Sequence, residues 1–244
     1  MKLRAAVHVH SDWSYDGSWT LDRLATAFGE KGYDVVLMTE HDRGFDESRW
    51  RDYCAACAES SSPELLFVPG IEYSDADNVT HILCWSEEIS FLGEDQDTLL
   101  TLEAAAEANA CAVFAHPWRK RAHERYRPSW VPHLVGVETW NRKADGIAPR
   151  KEAVEMVRGT ELTPYASLDF HRARQFFPLA MEVDVEDRPA DVASVLDALR
   201  DRRTRALAFG RPLELFTSGF AGGAVRAAEA TRSSVAATIR RLKS

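Results

Sequence analysis

Histidine and carboxylate side chains recur along the first 171 residues at positions where a metal site could be built. His8 and His10 stand two residues apart at the end of the first apolar run, residues 3–9. Because residues i and i+2 of a strand lie on the same face, both imidazoles should point to one side. Seven further side chains follow at or just after apolar runs, except that the first lies in a loop: Asp16, His41, Glu72, His81, His116, Asp169 and His171.

Imidazole and carboxylate ligands together suit zinc, manganese or iron. A catalytic ion takes three or four protein ligands, so six histidines and three carboxylates predict two or three divalent ions. A carboxylate shared by two ions would hold them ~3.5–4 Å apart, the spacing used for hydrolysis at phosphorus. Each residue alone has an ordinary explanation, such as a turn histidine for His116 or a helix cap for Glu72. Their joint placement favours one site, because buried polar groups need partners.

Short apolar runs alternate with helical patterns through the first two thirds of the chain. We predict strands over 3–9, 34–39, 65–71, 80–85, 111–115, 134–139 and 163–168, and helices over 21–30, 46–60, 97–109 and 149–157. This alternation is typical of a parallel α/β sheet or barrel, in which reactive groups collect at the carboxyl ends of the strands. A helix over 189–200, a strand over 205–208 and an amphipathic helix over 223–242 should follow, and the segment 211–244 is expected to contribute packing.

The composition is that of one globular domain over residues 1–244, with 45% hydrophobic residues and a net charge of −8. The acidic balance argues against a general nucleic-acid binder. No apolar run approaches the ~20 residues of a membrane span and no signal peptide is apparent, so we expect a cytoplasmic protein without membrane contact. Cys54 and Cys57 form a CxxC without a second one, which favours reduced thiols, with a redox or zinc role as the alternative.

Six ordered segments resemble the motifs of the polymerase-and-histidinol-phosphatase (PHP) family over about residues 5–210: HVHSDWSYDGSWTLDRL, LMTEHD, VPGIEYS, THIL, FAHPWR and SLDFH. The resemblance implies a distorted (β/α)7 barrel of the PHP type, with up to three metal ions at the strand ends. Two departures are modest. Glu40 in TEHD stands where aspartate is commoner, and SLDFH lacks the glycine of the usual motif, but neither change removes a ligand.

The resemblance also implies how the ligands divide among the ions. The first ion would be held by His8, His10, Glu72 and Asp169. Glu72 would bridge to the second ion, with His81 and His116, and the third would be held by Asp16, His41 and His171. All nine positions carry ligand-competent residues, which speaks against a metal-free member.

Basic and aromatic residues surround these motifs. Arg119 follows the FAHPW segment and is our candidate for a phosphate clamp, because its guanidinium can donate two hydrogen bonds to one anion. The other basic residues of 119–127, and those at the later strand ends, are expected to be ordinary surface charge: Arg142, Lys143, Arg172 and Arg174. The nearby tryptophans could stack on a base or wall off the site: Trp13, Trp118 and Trp140. Glu138 and Asp42 should orient ligands, and His123 is a weaker candidate for a proton donor.

The sequence therefore predicts a metal-dependent phosphoric ester hydrolase, with Glu72, Asp169 and Arg119 as its catalytic residues. The preferred reaction is phosphomonoester hydrolysis on a small phosphorylated metabolite or nucleotide, by a hydroxide that bridges two ions. A phosphodiesterase or exonuclease acting on short oligonucleotides is the alternative within this chemistry. A non-catalytic metal-binding accessory module and a C–N or ester hydrolase are alternatives of other classes.

Overall fold

Strands and helices alternate through most of the computed structural model, which describes residues 1–87, 90–186 and 190–243. The strands are β1 (Lys2–Val9), β2 (Val35–Met38), β3 (Glu40–His41), β4 (Leu66–Val68), β5 (Gly70–Ser74), β6 (His81–Trp85), β7 (Cys111–Phe114), β8 (Gly136–Asn141), β9 (Thr163–Ser167), β10 (Leu179–Asp184), β11 (Thr204–Ala208) and β12 (Arg211–Pro212). The helices are α1 (Leu21–Gly29), α2 (Glu47–Ser60), α3 (Thr98–Glu107), α4 (Arg142–Asp145), α5 (Lys151–Val157), α6 (Val192–Arg200) and α7 (Gly219–Lys243).

These strands form two mixed sheets within the described residues. One has the order β12-β11-β10-β1-β2-β4 and the other the order β3-β5-β6-β7-β8-β9. The α/β class is confirmed, but the prediction of a wholly parallel arrangement is wrong, because β6 runs antiparallel to both β5 and β7. Only six residues, 75–80, join β5 to β6, which is too short for a parallel crossover. Strand β10, which pairs antiparallel with β1, was not predicted.

Two breaks separate the sheets. The predicted strand 65–71 divides at Pro69 into β4 and β5, since proline has no N–H to donate to a ladder. The predicted strand 34–39 ends at Met38 and resumes as β3 at Glu40. The described strands therefore form no single closed sheet. Hydrogen bonds still connect the two sheets at the end of β1, from Leu168 N–H to Val7 O (3.0 Å) and from His10 N–H to Phe170 O (2.9 Å).

The core lies between the strands and the surrounding helices. β2 is buried at every position, as the continuous apolar run VVLM predicts. The first three helices begin where a side chain accepts hydrogen bonds from the first turn: Thr20, Asp46 and Asp97. Gly70 is required at the start of β5, because a Cβ there would lie 2.4 Å from the Trp85 ring and 2.6 Å from Met38 O. The four cysteines, all within the described residues, are free.

The final helix begins earlier than predicted and remains largely exposed. Of its predicted packing face, Val235 is 54% and Ile239 48% exposed, while Phe220 near its start is 94% exposed. The side chain of Leu242, also on that face, and Pro189, the predicted start of the preceding helix, lie outside the described residues. No helix among the residues described is long and apolar enough to cross a membrane.

Glu229 anchors this helix to the turn after α4. Its carboxylate accepts hydrogen bonds from Ile147 N–H (2.9 Å) and Arg232 Nε (2.7 Å). It also lies so close to Gly146, whose φ is +80°, that a Cβ there would be 2.3 Å from Glu229 Oε2. Burial raises the pKa of Glu229, but hydrogen bonds from Arg232, Ile147 and Ser233 outweigh this effect and lower the pKa to about 2.

The depressed pKa predicts how docking of α7 depends on pH. The contribution of the Glu229 carboxylate is fully present above pH 4.5 and is lost as the pH falls towards about 2. Pepsin should therefore cleave residues 219–243 progressively faster across this window. At pH 7, Glu229→Ala should speed tryptic cleavage of α7 about fivefold, as expected for a partly exposed, charge-assisted hydrogen bond. Glu155→Ala, at an exposed position on α5, is the matched control, and equal cleavage of all three proteins would contradict the anchor.

Candidate metal centre

Glu72, in β5, lies at the centre of the predicted ligands. The strand pairs with β3, which sets Glu72 beside His41. Both carboxylate oxygens are surrounded by imidazole nitrogens. Glu72 Oε2 lies 3.1, 3.3 and 3.4 Å from nitrogens of His41, His8 and His10. Glu72 Oε1 lies 2.6 Å from His81 Nδ1 and 2.9 Å from His116 Nε2. A carboxylate that bridges two cations needs further ligand atoms near each of its oxygens, and the imidazole nitrogens around Glu72 provide this arrangement.

His8 and His10 reach the centre by a different local geometry from the one that strand alternation predicts. The register between β1 and β2 shifts between Val7 and Val9, so His8 occupies a bulge, and its φ is 64°. Bulges next to active sites redirect a side chain in this way. The two rings lie 5.1 Å apart, tilted towards each other, and are fully buried.

Hydrogen bonds on the far side of each ring leave one nitrogen directed at Glu72. His8 Nδ1 contacts Glu138 Oε1 (2.7 Å) and His10 Nδ1 contacts Ser14 Oγ (3.2 Å). The Nε2 atoms of His8 and His10, like Nδ1 of His116, are buried and have no hydrogen-bond partner among the described residues. Buried imidazole nitrogens normally have partners, and an outer hydrogen bond that fixes the tautomer is typical of metal-binding histidines. This donor set therefore fits divalent cations.

The remaining ligands complete a second side of the centre. Asp16, in the loop after β1, lies 3.2 Å from His41 Nε2 through Oδ1 and 3.1 Å from His171 Nε2 through Oδ2. Asp169 Oδ1 is 3.8 Å from Nε2 of both His8 and His10. The structure thus brings all nine predicted ligands into one continuous cluster, and all of them except Asp16 are buried.

Among the described residues, four groups of three place one ligand atom each within 4.8 Å of one another. One of them is the set predicted for the second ion, Glu72, His81 and His116, and another, His8, His10 and Glu72, lies within the set predicted for the first. The remaining two differ from the resemblance, since His10 joins His41 and His171, and His116 joins His8 and Asp169. Histidines from neighbouring predicted sets therefore intermix.

Charge compensation keeps the carboxylates ionised. Burial alone would raise the pKa of Glu72, but electrostatic interactions with His8 and His81, and hydrogen bonds from His116 and His41, hold it well below its usual range. Burial lowers the pKa of His41, yet hydrogen bonds to Asp16 and Glu72 outweigh this and raise it to about 10. Burial dominates at His81 and lowers its pKa to about 4. Cations bind ionised carboxylates and neutral imidazoles, so an ion that binds His41 must displace its proton.

Three of the predicted ligands adopt left-handed backbone conformations that residues with a Cβ disfavour. The φ angles are 64° at His8, 24° at His116 and 47° at Asp169. Such conformations cost about 1–3 kcal/mol each and persist where the surrounding structure holds them, often at active sites.

Glu138 and Asp42 were both expected to orient ligands, and their contacts differ. Glu138, fully buried in β8, contacts His8 Nδ1 and accepts a hydrogen bond from His116 N–H (2.7 Å). A register shift between Glu138 and Trp140 marks a second bulge beside the cluster. Asp42 instead accepts a hydrogen bond from Ser74 N–H (2.9 Å), at the end of β5.

The role of Glu40 was missed by the sequence analysis. Its buried carboxylate accepts hydrogen bonds from Ser11 N–H (2.9 Å), Ser11 Oγ (2.6 Å) and Ser14 Oγ. Ser14 Oγ in turn accepts a hydrogen bond from His41 N–H (3.0 Å) and contacts His10 Nδ1. Glu40 therefore fixes the loop that positions two ligand histidines. The signal was two serines after the first histidine pair and an acidic residue directly before His41.

The basic residues after His116 divide into two groups. Arg119 reaches the cluster, with Nη1 2.9 Å from His81 Nε2 and Nη2 3.2 Å from Asn78 Oδ1. The others pair with acidic or carbonyl groups, as Arg125 does with Asp75 (2.7 Å) and Asp77 (2.8 Å). Of the tryptophans, Trp140 is fully buried, Trp13 packs on Phe45 and Tyr53, and Trp118 stacks on His123.

A cavity of about 80 Å³ opens onto the cluster. It is lined by Tyr15, His41, Asp42, Arg43, Ser74, Ala76, Asn78, His81 and Asp95. The Tyr15 ring, 63% exposed, stacks on His41 at 4.9 Å and covers part of its mouth. Neither Tyr15 nor Arg43 was predicted as a site residue, because nothing in the local sequence pattern distinguishes a loop residue that lines a cavity.

No family model and no curated protein matches this chain. Several solved structures do match it, at low sequence identity. A two-domain protein from Bacteroides vulgatus containing a predicted PHP-like metal-dependent phosphoesterase matches with a TM-score of 0.67 at 19% identity, over 85% of this chain and 65% of that one. PsfC from Pseudomonas syringae matches with 0.61 at 15%, over 88% and 94%. The lesion-specific endonuclease PfuEndoQ from Pyrococcus furiosus matches with 0.53 at 14%, over 82% and 56%. The resemblance predicted from the motifs is thus confirmed at the level of the fold, which this chain shares with a protein containing a predicted PHP-like metal-dependent phosphoesterase.

Proposed function

We propose that this protein is a metal-dependent phosphoesterase that hydrolyses phosphomonoesters of small metabolites or nucleotides. The observation that carries the proposal is the two-sided contact of Glu72 with five histidines, two of which direct partnerless buried nitrogens at it. Bound divalent ions, taken from zinc, manganese or iron, would supply the positive charge that acidifies water and neutralises phosphoryl oxygens. Two or three ions would be held by the nine residues of the cluster.

The chain's own groups would bind and orient the phosphoryl group. Arg119, beside His81 at one edge of the cluster, is positioned to donate hydrogen bonds to a phosphoryl oxygen. Glu72 and Asp169 would act by holding the ions. The cavity of about 80 Å³ is far smaller than the ~300–1,000 Å³ of pockets that enclose a whole ligand. It therefore suits a terminal phosphoryl group whose alcohol remains outside, which favours a monoester.

The architecture of the proposed enzyme is a distorted (β/α)7 barrel of the PHP type, in one domain over 1–244. The hydrogen bonds from residues 168–170 to the end of β1 support this barrel, because they connect the last strand of one sheet with a central strand of the other. The cytoplasmic location stays a prediction.

Phosphodiester cleavage is the second candidate. One observation favours it: the fold matches endonuclease Q in complex with a 27-mer duplex substrate with an abasic lesion at the active site, with a TM-score of 0.54 at 15% identity. A screen of phosphate esters separates the candidates. Release of inorganic phosphate from mononucleotides and sugar phosphates supports the monoesterase, whereas release of nucleotides from short oligonucleotides without free phosphate supports the diesterase.

Metal removal tests the chemistry itself. Protein treated with a chelator should lose phosphate release and should regain it when Mn²⁺ or Zn²⁺ is added back, because the ions would supply the positive charge that acidifies water and neutralises phosphoryl oxygens. The measurement is phosphate release against ion concentration, with elemental analysis of each sample. Full turnover by metal-free protein would contradict the proposal. Stoichiometric metal without turnover on any ester would indicate an accessory metal-binding module.

A further inference from the structure

Lys143 places a positive charge inside the ligand cluster. Its ammonium nitrogen lies 3.1 Å from Asp169 Oδ1 and 3.1 Å from His171 Nε2. Lys143 was predicted to be ordinary surface charge, and its side chain is indeed 42% exposed. The charged end, however, contacts two residues predicted to hold different ions.

The backbone at Lys143 is fixed by contacts of a neighbouring residue, Asn141. Asn141 caps α4 by accepting a hydrogen bond from Ala144 N–H (2.8 Å). The same side chain donates to Glu138 Oε2 (2.8 Å) and Asp169 Oδ2 (3.3 Å). The Cα of Lys143 is therefore fixed relative to the cluster, while four rotatable bonds let the ammonium enter or leave it.

The tautomer of His171 shows what the ammonium contacts. His171 Nδ1 lies 3.0 Å from the Asp169 carbonyl oxygen, which can only accept, so Nδ1 carries the proton. Nε2 then lies between the Lys143 ammonium (3.1 Å) and Asp16 Oδ2 (3.1 Å), so this side of the ring faces both a cation and a carboxylate. A ring nitrogen has one lone pair, so an N–H donor and a divalent ion cannot use it together.

We propose that Lys143 is a tethered cation that competes with a divalent ion for the Asp16–Asp169–His171 side of the cluster. This inference rests on the metal centre of the proposed function. If Lys143 competes in this way, the protein holds two ions tightly and binds a third only when that ion displaces the lysine. The displaced ammonium then moves into solvent. Lys143 is thus a residue that sets how many ions the centre carries.

Metal counting tests this competition. Metal-free protein is titrated with Mn²⁺ or Zn²⁺ by calorimetry, and bound metal is counted by elemental analysis after dialysis. Wild type should bind two equivalents tightly, whereas Lys143→Met should bind a third with affinity at least about tenfold higher than wild type, as loss of a competing charge-assisted contact predicts. Lys143→Arg should retain the two-ion stoichiometry, because it keeps the charge. Lys151→Met, at an exposed position on α5, should behave as wild type.

Chemical labelling gives a readout that needs no substitution. Acetylation of Lys143, followed by mass spectrometry, should be slow in metal-free protein and faster once excess Mn²⁺ displaces the ammonium into solvent. Equal stoichiometry and affinity in wild type and Lys143→Met, or three tight ions in wild type, would overturn the competition and leave the phosphoesterase proposal standing. Failure of every protein to bind any divalent ion would overturn both.

Discussion

Replacing Glu72 by glutamine should lower both the metal content and the turnover of the protein, by about 100-fold or more in turnover, since a bridging ligand acts on two ions at once. An amide oxygen carries no charge and its nitrogen cannot bind a cation, so the substitution removes the only carboxylate in the described chain that contacts five histidines. The measurements are elemental analysis after dialysis and phosphate release at saturating Mn²⁺.

Glu182→Gln is the matched control for this substitution. Glu182 lies in β10, away from the cluster, and pairs with exposed Lys2 (2.6 Å). It should retain full metal content and turnover. A Glu72→Gln protein with an unchanged metal count would place the bridge on another residue.

Replacing Glu138 by glutamine should weaken metal binding about 10- to 100-fold without removing a ligand, because residues that orient metal-binding histidines have effects of this size. Glu138 accepts hydrogen bonds from three directions, namely His8 Nδ1 (2.7 Å), His116 N–H (2.7 Å) and Asn141 Nδ2 (2.8 Å). Glutamine presents an N–H₂ group where at least one of these donors needs an acceptor. The unpaired buried donor should also cost about 1–3 kcal/mol in the free energy of unfolding.

Two measurements separate the effects of Glu138→Gln. Urea unfolding of metal-free protein reports the loss of the buried hydrogen bond, and titration with Zn²⁺ reports the loss of orientation at His8. Metal affinity equal to that of wild type, at reduced stability, would show that Glu138 supports the fold without setting the histidine tautomer. Glu182→Gln again serves as the control.

The convergence of the nine candidate ligands was predictable from the sequence because most of them follow strand ends. His41, Glu72 and His116 each come at the end of an apolar run, and the carboxyl ends of strands meet at one edge. The local geometry was not predictable. His8 occupies a bulge with a φ of 64°, which the spacing of apolar residues does not predict. Strand alternation nevertheless predicted correctly that the side chains of His8 and His10 lie close together.

The predictions from the sequence failed mainly for the direction of strands and for the contacts of long side chains. The antiparallel β6 follows from a six-residue connection that was visible in the sequence and should have excluded a parallel crossover. By contrast, Lys143 and Glu40 act through contacts across the fold, at 3.1 Å from Asp169 and 2.9 Å from Ser11 N–H. A sequence pattern identifies the residue that begins such a contact but not the distant atom that it reaches.

The left-handed backbone conformations at His8, His116 and Asp169 each lower the stability of the fold at a residue that the proposed metal site needs. Glycine would relax each of these conformations, but it has no side chain that could bind an ion. Glycine would also leave the buried carboxylate of Glu72 without its contacts to His8 and His116, which costs more than the backbone relaxation would return. The three strained conformations are therefore retained by the same side-chain contacts that would receive the ions.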